Sequence, residues 1–239
     1  MFSFPDFARV SGRKAVLGVA GLAFVGAGVA GPTTAAFSAP QPTQGTVSAV
    51  TSSPQGTPVT TSVASTSNLP GEKALNYDYQ RQPNFFYCGP AATRIALTVV
   101  GHTNSFDDVA RQLGTTENGT NSAQDTTRVL NQVAGGSFYT THEIRGATAT
   151  PAEVDQLKND VIHAVANDHA VVANIAGTIT DAAGATHSYD GGHYLTIVGY
   201  GNGGTTVKIA DPADTQGDGS YWMSTVTMAN WIATRGYSA

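Results

Sequence analysis

The chain has 239 residues, which suits one domain with appended segments. Only 12% of the residues are charged, and the formal net charge is −5. The mildly acidic body of the chain has no cluster of Lys and Arg, which argues against nucleic acid or an anionic membrane as a partner.

The N-terminal residues have the pattern of a secretion signal. Basic residues up to Lys14 precede an uncharged, mostly apolar stretch over residues 15–30, and small residues follow it. A transmembrane anchor is the alternative, but the stretch is short for a span of ~20 residues and its glycines dilute its hydrophobicity. We therefore predict a secretion signal over residues 1–39 and a secreted, extracellular or cell-wall-associated protein, without a stable membrane anchor once the signal is removed.

The next segment has the composition of a flexible linker. Residues 40–71 are mostly Thr, Ser, Pro, Gln, Gly and Val, without an amphipathic period or a charged side chain. Such a segment cannot bury enough apolar surface to offset the entropy lost on ordering. Charges return at Glu72, so we place a single folded domain over residues 72–239.

The first half of this domain is patterned as helices. Ser105 and Thr150 are suited to cap the starts of two of them, and Gly114 is suited to end one. Pro90 falls in the first turn of another, where proline is tolerated. The four predicted helices cover residues 88–100, 106–113, 122–133 and 151–168.

The second half is patterned as strands. Three runs are rich in β-branched and aromatic residues and are bounded by glycine: 170–176, 193–200 and 205–210. The glycine-rich run between the last two indicates a hairpin turn, and a short helix around residues 226–234 is predicted to close the chain. Helices followed by antiparallel strands indicate an α+β domain.

The only cysteine, Cys88, is the candidate nucleophile. It cannot form an internal disulfide in a chain patterned for export. At the N-terminus of the predicted helix, unpaired backbone N–H groups and the positive end of the helix dipole favour a thiolate over a thiol. A buried structural cysteine is the alternative for any single Cys.

A thiol nucleophile needs a base, a group that orients the base, and donors for the oxyanion. His193 follows two glycines, and we expect it at the start of a strand and exposed to a cleft. Asp211 ends the next predicted strand, where it could fix the tautomer of His193. Asp214 is the nearest alternative to Asp211, and Asn202 ranks behind both.

One other cluster could hold zinc, because His187 and His193 flank Asp190. The spacing fits no common helical metal motif, and Gly191-Gly192 is expected to make a loop there. We therefore predict no metal site. The remaining histidines are interpreted as structural or solvated: His102, His142, His163 and His169.

Three motifs follow one another across the domain. They are Gln82-x5-Cys88-Gly-Pro-Ala-Ala, then Gly-His193-Tyr-Leu-x-Ile-Val-Gly-Tyr, then a strand ending in Asp211-Pro. Together they resemble the C39-like peptidases of the papain-like cysteine peptidase superfamily. The resemblance covers Tyr77 to about Asp214, which is nearly the whole predicted domain.

The resemblance implies a papain-like cysteine peptidase fold. Its N-terminal helical half would carry Cys88 at a helix N-terminus and pack on a C-terminal antiparallel sheet carrying His193 and Asp211. In this family the cysteine is the nucleophile, the histidine the base and the aspartate its orienter. Gln82 matches the glutamine that supplies an oxyanion-hole amide, and its spacing to Cys88 favours it over Gln80.

The resemblance also implies a function. We expect a secreted cysteine peptidase that hydrolyses peptide bonds through an acyl-thioester, with a peptide or protein substrate and no cofactor. A cell-wall amidase or transpeptidase with the same Cys-His-Asp triad is the first alternative, and a noncatalytic binding module on the same fold is the second. The low charge and modest aromatic content favour a monomer.

Overall fold

The computed structural model describes residues 69–239. The predicted secretion signal over residues 1–39 and the predicted linker up to residue 68 lie outside the described residues. Within residues 69–239, no helix combines the length and the apolar character that crossing a bilayer requires.

The described residues form five α-helices and seven β-strands. The helices are α1 Cys88–Val99, α2 Phe106–Leu113, α3 Ala123–Ala134, α4 Pro151–Ala166 and α5 Thr225–Ile232. The strands are β1 Lys73–Ala74, β2 Thr141–Ile144, β3 Val171–Thr180, β4 Thr186–Gly201, β5 Thr206–Ala210, β6 Ser220–Ser224 and β7 Arg235–Ser238. This mixture confirms the predicted α+β fold.

All seven strands join one antiparallel sheet, in the order β2-β7-β3-β4-β5-β6, with β1 paired to β4. Helix α1 packs on β4, and the Thr196 hydroxyl donates a hydrogen bond of 2.8 Å to the Ala92 carbonyl between them. The first ten residues of α1 are buried. The predicted arrangement, with the cysteine helix packed against an antiparallel sheet, is thereby confirmed.

The helix ends follow the predicted capping residues. At the start of α2 the Ser105 side chain accepts a hydrogen bond from the Asp108 amide, and Gly114 ends α2 with a φ of +70°. At the start of α4, Thr150 and Glu153 form a reciprocal capping box. These local contacts explain why the helix bounds could be read from sequence.

Strand β4 begins earlier than predicted, at Thr186, so His193 lies within the strand and not at its start. Gly191 and Gly192 are also inside β4, which corrects the expected loop. Between the pairs Ile175–His193 and Gly177–Tyr189, β4 has three residues and β3 has one. This bulge, residues 190–192 of β4, accommodates the glycines that were read as a strand break.

The chain also contains a strand after the helix that was predicted to close it. Strand β7 follows α5 and lies between β2 and β3. Its four residues are too few to show an alternating pattern, so only the pairing of distant segments reveals it.

Candidate active site

Cys88 is the first residue of α1, and 8% of its surface is exposed. Helix α1 has no acidic residue in its first turn and no side-chain cap. The free N–H groups and the positive end of the helix dipole therefore act on the sulfur. The backbone amides of Gly89 and Tyr194 also donate hydrogen bonds to it.

His193 lies beside Cys88 and is 4% exposed, so the expectation of an exposed side chain was wrong. Its Nε2 is 2.7 Å from Oδ1 of Asp211, and the ring interacts with the Cys88 side chain closely enough for each to shift the pKa of the other. Because Nε2 faces Asp211, Nδ1 is the ring nitrogen left to exchange a proton with Sγ. The histidine is buried because α1 and β4 pack together at this point.

Asp211 is fully buried and accepts four hydrogen bonds. Oδ1 accepts from Nε2 of His193 and from the Ala213 amide at 2.9 Å. Oδ2 accepts from the hydroxyls of Tyr189 at 2.9 Å and Tyr221 at 3.0 Å. A carboxylate held by four donors is fixed in position and remains ionised in spite of its burial.

The electrostatics of these three groups favour a thiolate–imidazolium pair. Burial raises the pKa of Cys88, but the hydrogen bond and charge of His193, with the amides of Tyr194 and Gly89, outweigh it and lower the pKa. Burial lowers the pKa of His193, but its bonds to Asp211 and Cys88 raise that pKa to about 9. Burial likewise raises the pKa of Asp211, and His193 more than compensates, so this pKa lies below its usual value.

Gln82 lies in the segment before α1, next to Pro212, which follows Asp211 in the chain. Its backbone amide donates to the Pro212 carbonyl at 2.9 Å, and its side-chain Nε2 donates to the Asn84 carbonyl at 2.8 Å. Its Oε1 is buried without a hydrogen-bond partner among the described residues. An amide nitrogen has two hydrogens, so one N–H of Gln82 remains for a further acceptor.

The alternatives to Asp211 lie away from His193. The Asp214 carboxylate accepts from the Gln216 amide at 2.8 Å. Asn202 belongs to the turn between β4 and β5, and its side chain lies 3.4 Å from the Thr206 hydroxyl. The structure therefore brings Asp211 to His193, and neither Asp214 nor Asn202.

His187 points to a different partner from His193. Its Nε2 is 3.1 Å from Oδ2 of Asp181, and its ring stacks on Tyr221 with centroids 3.9 Å apart. Residues 69–239 contain no group of three His, Cys, Asp or Glu side chains that could hold a metal ion. His163 and His169 both stack on Phe138, which gives them structural roles.

The sequence did not single out the two tyrosines that hold Asp211. The Tyr189 ring also stacks on His193, with centroids 4.0 Å apart and planes 16° from parallel. Tyr189 precedes His193 within one strand, on the far side of the bulge. An aromatic residue shortly before a Gly-Gly-His run was the one signal that could have found it.

A cavity of about 180 Å³ opens on Cys88 and His193. The rest of its lining consists of three asparagines, three glycines, Thr120, Tyr194 and Arg235, the first residue of β7. Asn174 on β3 belongs to this lining, and its Nδ2 donates to the Tyr194 hydroxyl at 3.0 Å. The reactive pair can therefore be reached through a narrow, polar opening.

Comparisons with known proteins assign the chain to a family. A family model described as Peptidase_C39 like family matches residues 74–239. A search of curated proteins found no match.

Solved structures that are similar to this chain include the following three. A C39-like peptidase from Bacillus anthracis has 13% identity and a TM-score of 0.46, covering 70% of this chain and 96% of that one. The peptidase domain of Streptococcus ComA, a bifunctional ABC transporter, has 17% identity and a TM-score of 0.44, covering 69% and 97%. Xylellain, a cysteine protease from Xylella fastidiosa, has 11% identity and a TM-score of 0.39, covering 72% and 86%.

Proposed function

Because the chain belongs to the Peptidase_C39 like family of cysteine peptidases, we propose that it is a secreted enzyme that hydrolyses peptide bonds with Cys88, His193 and Asp211. The observation that carries the proposal is the series from Cys88, whose pKa His193 lowers, through the His193 ring to Asp211, which lies 2.7 Å from Nε2. It meets the demand of acyl transfer for a nucleophile, a base and a group that orients the base.

In the resting enzyme, Sγ of Cys88 is a thiolate and His193 carries the proton on Nδ1. The thiolate attacks the carbonyl carbon of the scissile amide, and the carbonyl electrons move to the oxygen. When the tetrahedral intermediate collapses, the C–N bond breaks and the amine leaves with the proton of His193. Water then attacks the thioester, His193 accepts one of its protons, and the thiolate departs from the acid product.

The oxyanion needs donors at the point where its charge develops. In this proposal they are the backbone N–H of Cys88 and the free N–H of the Gln82 side chain. The hydrogen bond from the Gln82 Nε2 to the Asn84 carbonyl supports this role, because it fixes the direction in which the second hydrogen points.

The buried Asp211 supports the acid step. Its charge keeps the proton on His193 until the amine departs, which is what a pKa of about 9 allows at neutral pH. Without that charge, the pKa of His193 would be lower, and the ring would lose its proton to water at a lower pH.

The test is peptide hydrolysis by the full chain beside Cys88→Ala and His193→Ala. Both variants are expected to lose turnover, because each lacks one member of the reactive pair. A wild-type protein that binds peptides but cleaves none, across a library of varied sequence, would overturn the proposal in favour of a binding module. Secretion has its own test, which is the N-terminal sequence of the protein recovered outside the cell.

A further inference from the structure

Arg235 lies at the edge of the proposed catalytic pair. It is the first residue of β7 and lines the cavity of about 180 Å³ onto which Cys88 and His193 open. A Cβ atom placed on Gly192 would be 3.4 Å from the Nη2 atom of Arg235. The guanidinium therefore lies against the backbone of the residue that immediately precedes His193.

The guanidinium of Arg235 has no hydrogen bond and no ion pair with any residue in the described range 69–239. Four other arginines each contact a carboxylate within 4.0 Å: Arg94, Arg111, Arg128 and Arg145. A guanidinium offers five N–H donors in a planar fork that matches a carboxylate. Arg235 thus keeps its donors available at the entrance to the site.

The other charged groups of the cavity lining are those of the proposed thiolate–imidazolium pair, Cys88 and His193, whose charges offset each other. Of the described residues that form it, Arg235 alone has a permanent charge, and none is Asp or Glu. Glu143, which lines a neighbouring cavity together with Arg235, pairs with Arg145 at 3.0 Å, and Asp190 is exposed on the bulge. A negative group entering the cavity would therefore meet the positive charge of Arg235 beside a reactive pair whose two charges offset each other.

The polar lining also extends past Arg235. A second cavity of about 340 Å³ shares Asn121, Asn174 and Arg235 with the first. Arg235 consequently lies at the junction of the two cavities, where an extended chain that occupies both would pass it.

We propose that Arg235 is a specificity residue that binds a carboxylate of the substrate within about two residues of the scissile bond. The carboxylate belongs to an acidic side chain or to a free chain terminus. This inference rests on the proposed peptidase function and names its substrate class. Arg235 contacts no reacting atom in this scheme, so its effect falls on recognition and not on the acid–base steps.

The first test needs no peptide, because the chain has a single cysteine. Iodoacetate and iodoacetamide both alkylate Sγ with loss of iodide. They differ in charge, because iodoacetate carries a carboxylate where iodoacetamide carries a neutral amide. We expect the rate constant for iodoacetate divided by that for iodoacetamide to fall roughly three- to tenfold in Arg235→Gln, which is the range for a partly exposed charge pair. Arg235→Lys should retain most of the ratio.

Arg111→Gln is the matched control, since it removes the same charge from an exposed position on α2 outside both cavities. Its ratio should equal that of the wild type. Equal ratios in Arg235→Gln and the wild type would overturn the inference, even if Cys88 reacts rapidly.

The second test uses matched peptides. One pair of peptides differs only by Glu or Gln near the cleaved bond, and it tests whether Arg235 binds a side-chain carboxylate. The other pair ends in either a free acid or an amide, and it tests whether Arg235 binds a terminal carboxylate. Arg235→Glu should reverse the preference for Glu in favour of Lys. Cleavage without any charge preference would refute the carboxylate site and leave the peptidase standing. Alkylation that depends on Arg235, without cleavage of any peptide, would leave the site standing and refute the peptidase.

Discussion

The imidazole of His193 and the carboxylate of Asp211 meet at 2.7 Å because of the register between β4 and β5. Thr196 pairs with Ala210, so continuing that register sets Asp211 opposite Leu195. His193 lies two residues from Leu195 and therefore on the same face of the sheet, at the diagonal position. The contact between the two side chains thus follows from strand pairing.

Replacing Asp211 by Asn should remove the charge that raises the pKa of His193. We expect turnover to fall by about 10²–10⁴, by analogy with removal of the orienting carboxylate of a serine protease triad. The measurement is kcat/KM on a peptide substrate. Asp214→Asn is the control, because that carboxylate contacts the Gln216 amide and not His193, and it should change kcat/KM less than twofold. A larger loss in Asp214→Asn than in Asp211→Asn would reverse the assignment.

The pH dependence of hydrolysis should report His193 directly. Above a pKa of about 9 the imidazolium loses its proton and cannot protonate the leaving amine, so kcat/KM should fall on the alkaline side near that value. In Asp211→Asn the alkaline fall should move to lower pH. An alkaline fall in the same place in both proteins would show that His193 does not produce it.

Alkylation of Cys88 should begin at lower pH than alkylation of an ordinary thiol. The pKa of Cys88 is lowered, so a thiolate is present below the ordinary value of about 8.5. Iodoacetamide labelling against pH, in the full chain and in His193→Ala, measures this. The variant should label only as pH rises towards about 8.5, and identical profiles would contradict the pairing of Cys88 with His193.

Gln82→Ala separates oxyanion stabilisation from thiolate formation. We expect hydrolysis to slow by about 10²–10³, the cost of losing one oxyanion donor. Alkylation by iodoacetamide develops no oxyanion, so its rate should be nearly unchanged. Gln80→Ala is the neighbouring control, with hydrolysis expected near the wild-type rate. Loss of alkylation in Gln82→Ala would instead indicate a role in maintaining the site's structure.

Tyr221→Phe should destabilise the fold through Asp211. The variant leaves a buried carboxylate with one donor fewer on Oδ2, and loss of a hydrogen bond to a charged group costs about 1.5–3 kcal/mol. The free energy of unfolding in urea measures it. Tyr77→Phe is a suitable comparison, because the Tyr77 hydroxyl contacts an exposed carboxylate, Asp218, and its loss should cost less than ~1 kcal/mol. Equal values for the two variants would mean that burial of Asp211 does not matter.

The helices were predictable because their signals are local. Ser105, Gly114 and Thr150 act on backbone groups within a few residues of themselves, and both ends of α2 and the start of α4 followed from them. The family motifs also identified Cys88, His193 and Asp211, which the structure places together. Their catalytic roles stay predictions until the variants are measured.

The parts of the site and of the sheet that were not predicted depend on contacts between distant segments, which no local pattern reveals. Tyr189 and Tyr221 converge on Asp211 from two strands, and Arg235 approaches Gly192 from a third. The bulge over residues 190–192 was missed because paired glycines ordinarily end a strand. Here they remain inside β4 because extra residues are displaced from the sheet while pairing continues on either side.

The position of β7 in the sheet has a consequence for how the enzyme assembles. This strand follows every other strand in sequence, yet it lies between β2 and β3. The sheet cannot close until residues 235–238 insert, and contacts of such long sequence separation form slowly. A chain that is still being synthesised therefore carries Cys88 in an unfinished scaffold, and the complete candidate site forms only once β7 is in place.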